Sequence, residues 1–175
     1  KYPYVDVLSP DATQSFIDIT YEEYYRRFPE YFGNVIRGFF HDERGMYANF
    51  LNIEDRGTIP YSETLRTLHT QLHNVPFDAD VVNIYRSSGQ ESRQSRLRYF
   101  KSAGELYAEN IRRMKDWCHK RGVYFIGHLL IEEDPLELVK TQADPFGVLS
   151  IFDIPGYDII GGFNPARQTL TAQYA

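Results

Sequence analysis

"VIRGFFHDERG", residues 35 to 45, decides how this chain is read. Val35, Ile36, Phe39 and Phe40 ask for burial, and the run predicts a strand over 35–40. His41, Asp42 and Glu43 follow with no polar spacer. A buried strand with carboxylates at its tip fits a parallel sheet, because loops at the carboxyl ends of such strands carry ligand-binding side chains. "GVYFIGHLLIEED" (122–134) repeats the pattern, with an apolar strand over 123–130 running into Glu132, Glu133 and Asp134.

The flanking segments agree with a parallel sheet. "YVDVL" (4–8) reads as a short strand, and Ser9-Pro10-Asp11 supplies a helix cap, a first-turn proline and a first-turn acid. Phe16, Ile17, Tyr21, Tyr24, Phe28 and Phe32 then recur at helical spacing, with Pro29 as a late break and Gly33 as the stop. Strand, helix and strand in that order make a βαβ unit. Downstream, 62–75 predicts a helix capped by Ser62, 80–85 ("DVVNIY") a strand, and 90–121 a long helix ended by Gly122. The apolar face of that helix carries Leu97, Phe100, Ala103, Tyr107, Ile111, Met114 and Cys118. Asp134-Pro135 opens a short helix to about Gln142, and 148–156 reads as a further strand. Residues 44–60 read as irregular. The expected fold class is α/β with parallel strands covered by helices.

At 175 residues and 42% hydrophobic, the chain has the make-up of one globular domain or a piece of a larger one. Four strand candidates are too few for a whole (β/α)8 barrel, which needs about 250 residues. The expectation is therefore a fragment, 1–175, amounting to half a barrel or to a small open sheet. A net charge of −5 provides no basic surplus to meet phosphates, which argues against a nucleic-acid partner. No apolar run approaches the ~20 residues of a membrane span. Cys118 is the only cysteine, so no internal disulfide can form.

Acids lie at or beyond three strand ends: Asp42/Glu43, Glu132/Glu133 and Asp153. Two opposed carboxylates are the equipment of glycoside hydrolysis, one donating a proton and the other activating water or attacking carbon. The plain alternative for each acid is helix capping or loop charge. His128, after a glycine in its strand, suits a sugar hydroxyl or the orientation of a carboxylate. It also suits a core position, and His41 has the same two readings. Strand alternation sets Glu132 on the His128 side and turns Glu133 away. His69 and His73 are four apart but lack the glutamate of a zinc-protease helix, and they read as surface histidines. Cys118 lies on the apolar stripe and reads as packing. No phosphate loop or G-x-S-x-G elbow is present.

"YVDVLSPDATQSFIDITYEEYYRRFPEYFGNVIRGFFHDE", "MKDWCHKRGVYFIGHLLIEE" and "DIPGYDII", in that order, resemble the central barrel segment of bacterial α-L-rhamnosidase-like glycoside hydrolases. That group typically shows a strand ending "GFFTDEP", a tryptophan–cysteine helix end, a "GHLLGEE"-type strand and an "IPGID"-type turn. The resemblance implies a (β/α)8 TIM-barrel catalytic domain in a multidomain bacterial enzyme, cytoplasmic or exported, that hydrolyses plant or microbial polysaccharide with inversion. Glu43 matches the acid of the first motif, and Glu132 or Glu133 those of the second. Calcium at the sugar site is the one cofactor the resemblance implies. Its implied partners are the carbohydrate substrate, the other barrel half and accessory domains. Arg44 stands where the group has proline, and His41 where it has threonine.

The reading is thus a glycoside hydrolase with Glu43 and Glu132 as the catalytic pair and Asp42, His128 and Glu133 as sugar-binding residues. The competing reading is a non-catalytic carbohydrate-binding or structural α/β module whose acids only hold sugar hydroxyls. A metal-dependent hydrolase would instead gather His41, Asp42, Glu43 and His128 into one cluster.

Overall fold

The computed structural model describes residues 5–46, 59–86, 89–132 and 134–158. Their architecture is mixed α/β, mostly helical, with one three-stranded parallel sheet. Helix α1 (Pro10–Phe16) starts where its cap predicts, the Ser9 hydroxyl accepting from Ala12 N at 3.2 Å. A π-helical turn over Ile17–Tyr21 leads into α2 (Glu22–Arg27), and a 3₁₀ turn follows at Pro29–Tyr31. The wider turn adds a residue to the repeat and throws the expected apolar stripe out of phase. Ile17 and Tyr21 are buried, whereas Phe16, Tyr24 and Phe28 are exposed.

The expected strand at 4–8 does not form over its described residues, 5–8. Asp6 captures the chain in a turn instead, its carboxylate accepting from Leu8 N at 3.0 Å and its carbonyl from Ser9 N at 3.0 Å. Strand β1 (Gly38–His41) begins later than 35. Gly33, at φ 81°, bends the chain back so that its N–H reaches Ile36 O, and Val35 is left exposed in the turn. Local hydrogen bonds override the β preference of Val35 and Ile36.

Helix α3 (Glu63–His73) is capped by Ser62, which accepts from Leu65 N at 3.0 Å. Residues 80–85 are helical, within α4 (Phe77–Arg86), and not a strand. Phe77, Asp80, Val81 and Ile84 share one face at three- and four-residue steps, and the partners of Asp80 outweigh the propensity of the valine pair. Helix α5 (Gln90–His119) matches the long apolar stripe, although Leu97 is exposed. Gly122, at φ 69°, closes it ahead of β2 (Tyr124–Gly127). Asp134 caps α6 (Pro135–Gln142), accepting from Leu136 N and Glu137 N. The same signal recurs at Asp144-Pro145 and starts α7 (Pro145–Leu149), so the strand expected at 148–156 shrinks to β3 (Ile154–Pro155).

The strands lie in the order β1-β2-β3, with both pairings parallel. Phe39 is paired with Phe125, and both rings turn toward the helices. Phe39 packs edge-on against Trp117 at 5.4 Å, and Phe125 stacks on Phe152 at 5.0 Å. Trp117 gathers Tyr21, Tyr25 and Phe32 around it, while its indole N–H donates to Glu22 at 2.8 Å and Arg121 lies over its face. Cys118 is buried in this layer, and burial, aided by Asp153, pushes its thiol up to about 12. The opposite sheet face is open. Phe40, Ile126 and Ile154 form one row across it, and Phe40 and Ile154 are 59% and 56% exposed.

Helix α5, about 45 Å long at 1.5 Å per residue, far outreaches four-residue strands of about 13 Å. Its carboxyl-terminal half backs the sheet, and its amino-terminal half packs with α3 and α4. There Asp80, 1% exposed, accepts from Arg98 through both carboxylate oxygens, from Ser95 at 2.8 Å and from His69 at 2.9 Å. Burial opposes its charge, but these donors hold the carboxyl down to about 2. His69 and His73 are therefore not surface histidines: His69 is fully buried and His73 partly so. Asp80→Ala leaves the Arg98 guanidinium without its counter-charge and the buried His69 N–H without its acceptor. It is expected to cost about 3 kcal/mol, read from the midpoint of urea unfolding, whereas Asp78→Ala on the exposed face of α4 should cost less than about 1 kcal/mol.

Candidate active site

Because the strands are parallel, their carboxyl ends share one rim. Asp42 and Glu43 leave β1 there, His128 leaves β2, and Asp158 lies three residues beyond β3. His128 bridges two carboxylates: its Nε2 is 3.0 Å from Asp42 Oδ1, and its Nδ1 is 3.1 Å from Glu132 Oε1. The imidazole is buried and its face meets Phe40 at 5.7 Å, on the open side of the sheet. Asp42 is largely exposed, and Glu132 is 4% exposed. Burial works against a charge on His128, but Glu132, the Leu129 carbonyl and Asp42 prevail and raise its pKa. Glu132 is also raised, since burial outweighs the N–H of Leu129 at 2.8 Å and the neighbouring imidazole.

Glu132 does lie on the side of His128, although not through strand alternation. The strand stops at Gly127, and a turn through Ile131, at φ 63°, folds the carboxylate back onto Leu129 N and His128. Glu43 also has a left-handed backbone, at φ 50°. A β-branched residue at positive φ is a steric outlier, and strain of this kind gathers at functional sites. Glu43 and the β-branched Ile131, both at positive φ, flank the bridge, one on each strand exit. Glu133 lies outside the described residues.

Two expected members do not join the rim. Asp153 precedes β3 and so lies at the amino end of the sheet. There it accepts from Phe125 N at 2.7 Å and pairs with Lys115 and His119. Burial opposes its charge, but these donors hold its carboxyl below the usual range. His41 turns to the helix side, between Phe125 and Phe152, as the alternation of β1 requires. Burial, with the charges of Arg44 and His128 behind it, drives its imidazole down to about 3. It is a neutral core group, so the four-residue cluster of a metal-dependent hydrolase does not assemble. Arg44 likewise turns inward, donating to Thr13 at 2.9 Å and to Val7 O, while its carbonyl accepts from Tyr107 and from Gln142 at 3.1 Å. It pins the exit of β1 to α1, α5 and α6.

Asp158 is the member that the spacing of acids missed. Its signal was its position beyond β3, in the "DIPGYDII" stretch. Glu43, His128 and Asp158 bring one potential ligand atom each within 4.8 Å of one another. Calcium takes about six to eight oxygens. This set offers two carboxylates and one imidazole, and both imidazole nitrogens already face other carboxylates. Among the described residues this trio could hold a metal ion, but it does not single out calcium. No described helix is long and apolar enough to cross a membrane. No protein-family model, curated protein or solved structure matches this chain.

Proposed function

We propose that this chain is part of a (β/α)8 glycoside hydrolase, with Glu43 and Glu132 as its carboxylate pair. The observation that carries this reading is the His128 bridge between Asp42 and Glu132, built across the carboxyl ends of two adjacent parallel strands. Active sites of (β/α)8 barrels form on that rim. The open row of Phe40, Ile126 and Ile154 supports the barrel, because side chains facing a barrel interior need the other strands to cover them.

In this mechanism Glu132 is the general acid. Its burial favours the protonated form, which an acid needs in order to protonate the leaving oxygen. Glu43, at the more open end of β1, activates water on the other side of the sugar, so the product has inverted configuration. Asp42 and His128 hold sugar hydroxyls, with His128 steadied from its far side by Glu132.

One observation favours a second reading. A carboxylate only 4% exposed, bonded to Leu129 N and His128, is well placed to orient the histidine and poorly placed to touch substrate. The rim would then bind carbohydrate without cleaving it. Single Gln variants at Glu43 and Glu132, assayed in the intact protein on an aryl glycoside with and without azide, separate the two. The hydrolase reading requires each variant to lose turnover, with azide restoring part of it in Glu43→Gln. Wild-type turnover in Glu132→Gln would leave Glu132 an orienting group only.

A further inference from the structure

The connection that leaves β1 after Glu43 contains α3 and α4, and a buried polar chain fastens both to α5. Asp80 of α4 is ionised and can only accept, so the His69 nitrogen facing it, Nε2, carries the hydrogen. In neutral His69 the other nitrogen, Nδ1, must then accept, and Ser102 of α5 lies 3.2 Å away to donate to it. His73 Nε2 lies 3.1 Å from Ser102 Oγ, and the Ser102 hydroxyl, 2.9 Å from the Arg98 carbonyl, has its one hydrogen for either that carbonyl or His69. His69, Ser95 and Ser102 are 0% exposed, so water cannot complete this chain if a link is lost.

We propose that His69 is the proton sensor of a latch that holds α3 and α4 on α5 at neutral pH and releases them in mildly acid solution.

The charged groups facing His69 make the case. From α4 there is Asp80, from α5 Arg98, and from α3 itself His73. Arg98 and Asp80 cancel, so a proton on His69 adds an uncompensated positive charge beside an arginine and a second histidine. It also occupies Nδ1, so Ser102 can give its one hydrogen only to the Arg98 carbonyl at 2.9 Å, which His73 also faces at 3.1 Å. Burial, with His73 and Arg98, outweighs Asp80 and lowers the pKa of His69 in the closed form. A lowered histidine pKa means that the latch is at full strength above the ordinary value of about 6.5. It weakens as pH falls from there toward the closed-form value, about tenfold per pH unit across that window. The inference does not depend on the glycosidase reading.

The test is hydrogen exchange by mass spectrometry on the intact protein at pH 7 and pH 5, corrected for intrinsic rates, with His69→Gln and His73→Gln alongside. The amide introduced by His69→Gln can still donate to Asp80 but cannot gain a proton. Wild type is expected to lose about tenfold protection over 63–73 and 77–86 at pH 5, with 106–118 unchanged. His69→Gln should abolish that difference, and His73→Gln should keep most of it. Equal protection at both pH values, or a response that survives in His69→Gln, overturns the proposal. Should His69→Gln fail to fold, the wild-type ring titration by NMR decides. A His69 pKa at or above about 6.5 in the closed form overturns the latch, and one below it, with exchange rising in step, upholds it.

Discussion

Glu43→Gln is expected to lower kcat on an aryl glycoside by about 10²–10⁴-fold in the intact protein while leaving unfolding stability within about 0.5 kcal/mol of wild type. The size follows from the role: an amide can neither accept nor deliver a proton, and removing one general acid or base has about that effect on the chemical step. The small structural effect follows from position. Glu43 is half-buried at the end of β1, and its neighbours on the rim are Asp158 and His128. No core packing depends on it. Turnover within about twofold of wild type would reduce Glu43 to a surface acid whose left-handed backbone has no catalytic meaning.

The largest expected loss of stability comes from Gly127→Ala. Gly127 has φ 150°, a region reserved for glycine, and a Cβ there would lie 2.1 Å from the His41 carbonyl oxygen and 2.8 Å from its nitrogen. Both contacts are backbone atoms of the paired strand, so no side chain can swing aside. The β1–β2 ladder must shift or break, and with it the neighbouring His128 bridge. We expect a loss of about 4 kcal/mol or more, the upper tail for single substitutions, measured by urea unfolding or seen as failure to accumulate folded protein. A loss under about 1 kcal/mol would mean that β1 and β2 do not approach this closely.

What the sequence made legible were features with local causes. Ser9-Pro10, Ser62 and Asp134-Pro135 state helix starts through a side-chain oxygen and a fixed φ, and α1, α3 and α6 begin there. The features misread turned on distant partners. Residues 80–85 look like a strand until Arg98, Ser95 and His69 are brought to Asp80. Val7 is buried at 5–8 without a ladder, because its carbonyl is claimed by Asn110 from α5. Asp144-Pro145 carries the same start signal as Asp134-Pro135, and its cap outweighs the apolar run behind it.

The candidate site divides along similar lines. Asp42, Glu43, His128 and Glu132 could be named because a parallel sheet makes strand ends meet, whatever the details of the loops. That Glu132 reaches His128 by a strained turn at Ile131 was not readable, since nothing local asks isoleucine to take positive φ. Asp153 lies on the opposite rim from the one expected, because a two-residue strand cannot be positioned to one residue by pattern. His41 and Arg44, read as departures in a binding motif, are instead core and anchor.

The most direct measurement is proton NMR of the first products released from an α-L-rhamnoside or a related polysaccharide fragment by the intact protein, beside its Glu43→Gln/Glu132→Gln double variant. A glycosidase that inverts through Glu43 and Glu132 releases a sugar whose anomeric signal has initially the opposite configuration to the substrate, growing with wild type and absent with the double variant. Equal release by both proteins, or no release from any glycoside while the protein still binds carbohydrate, would contradict this reading.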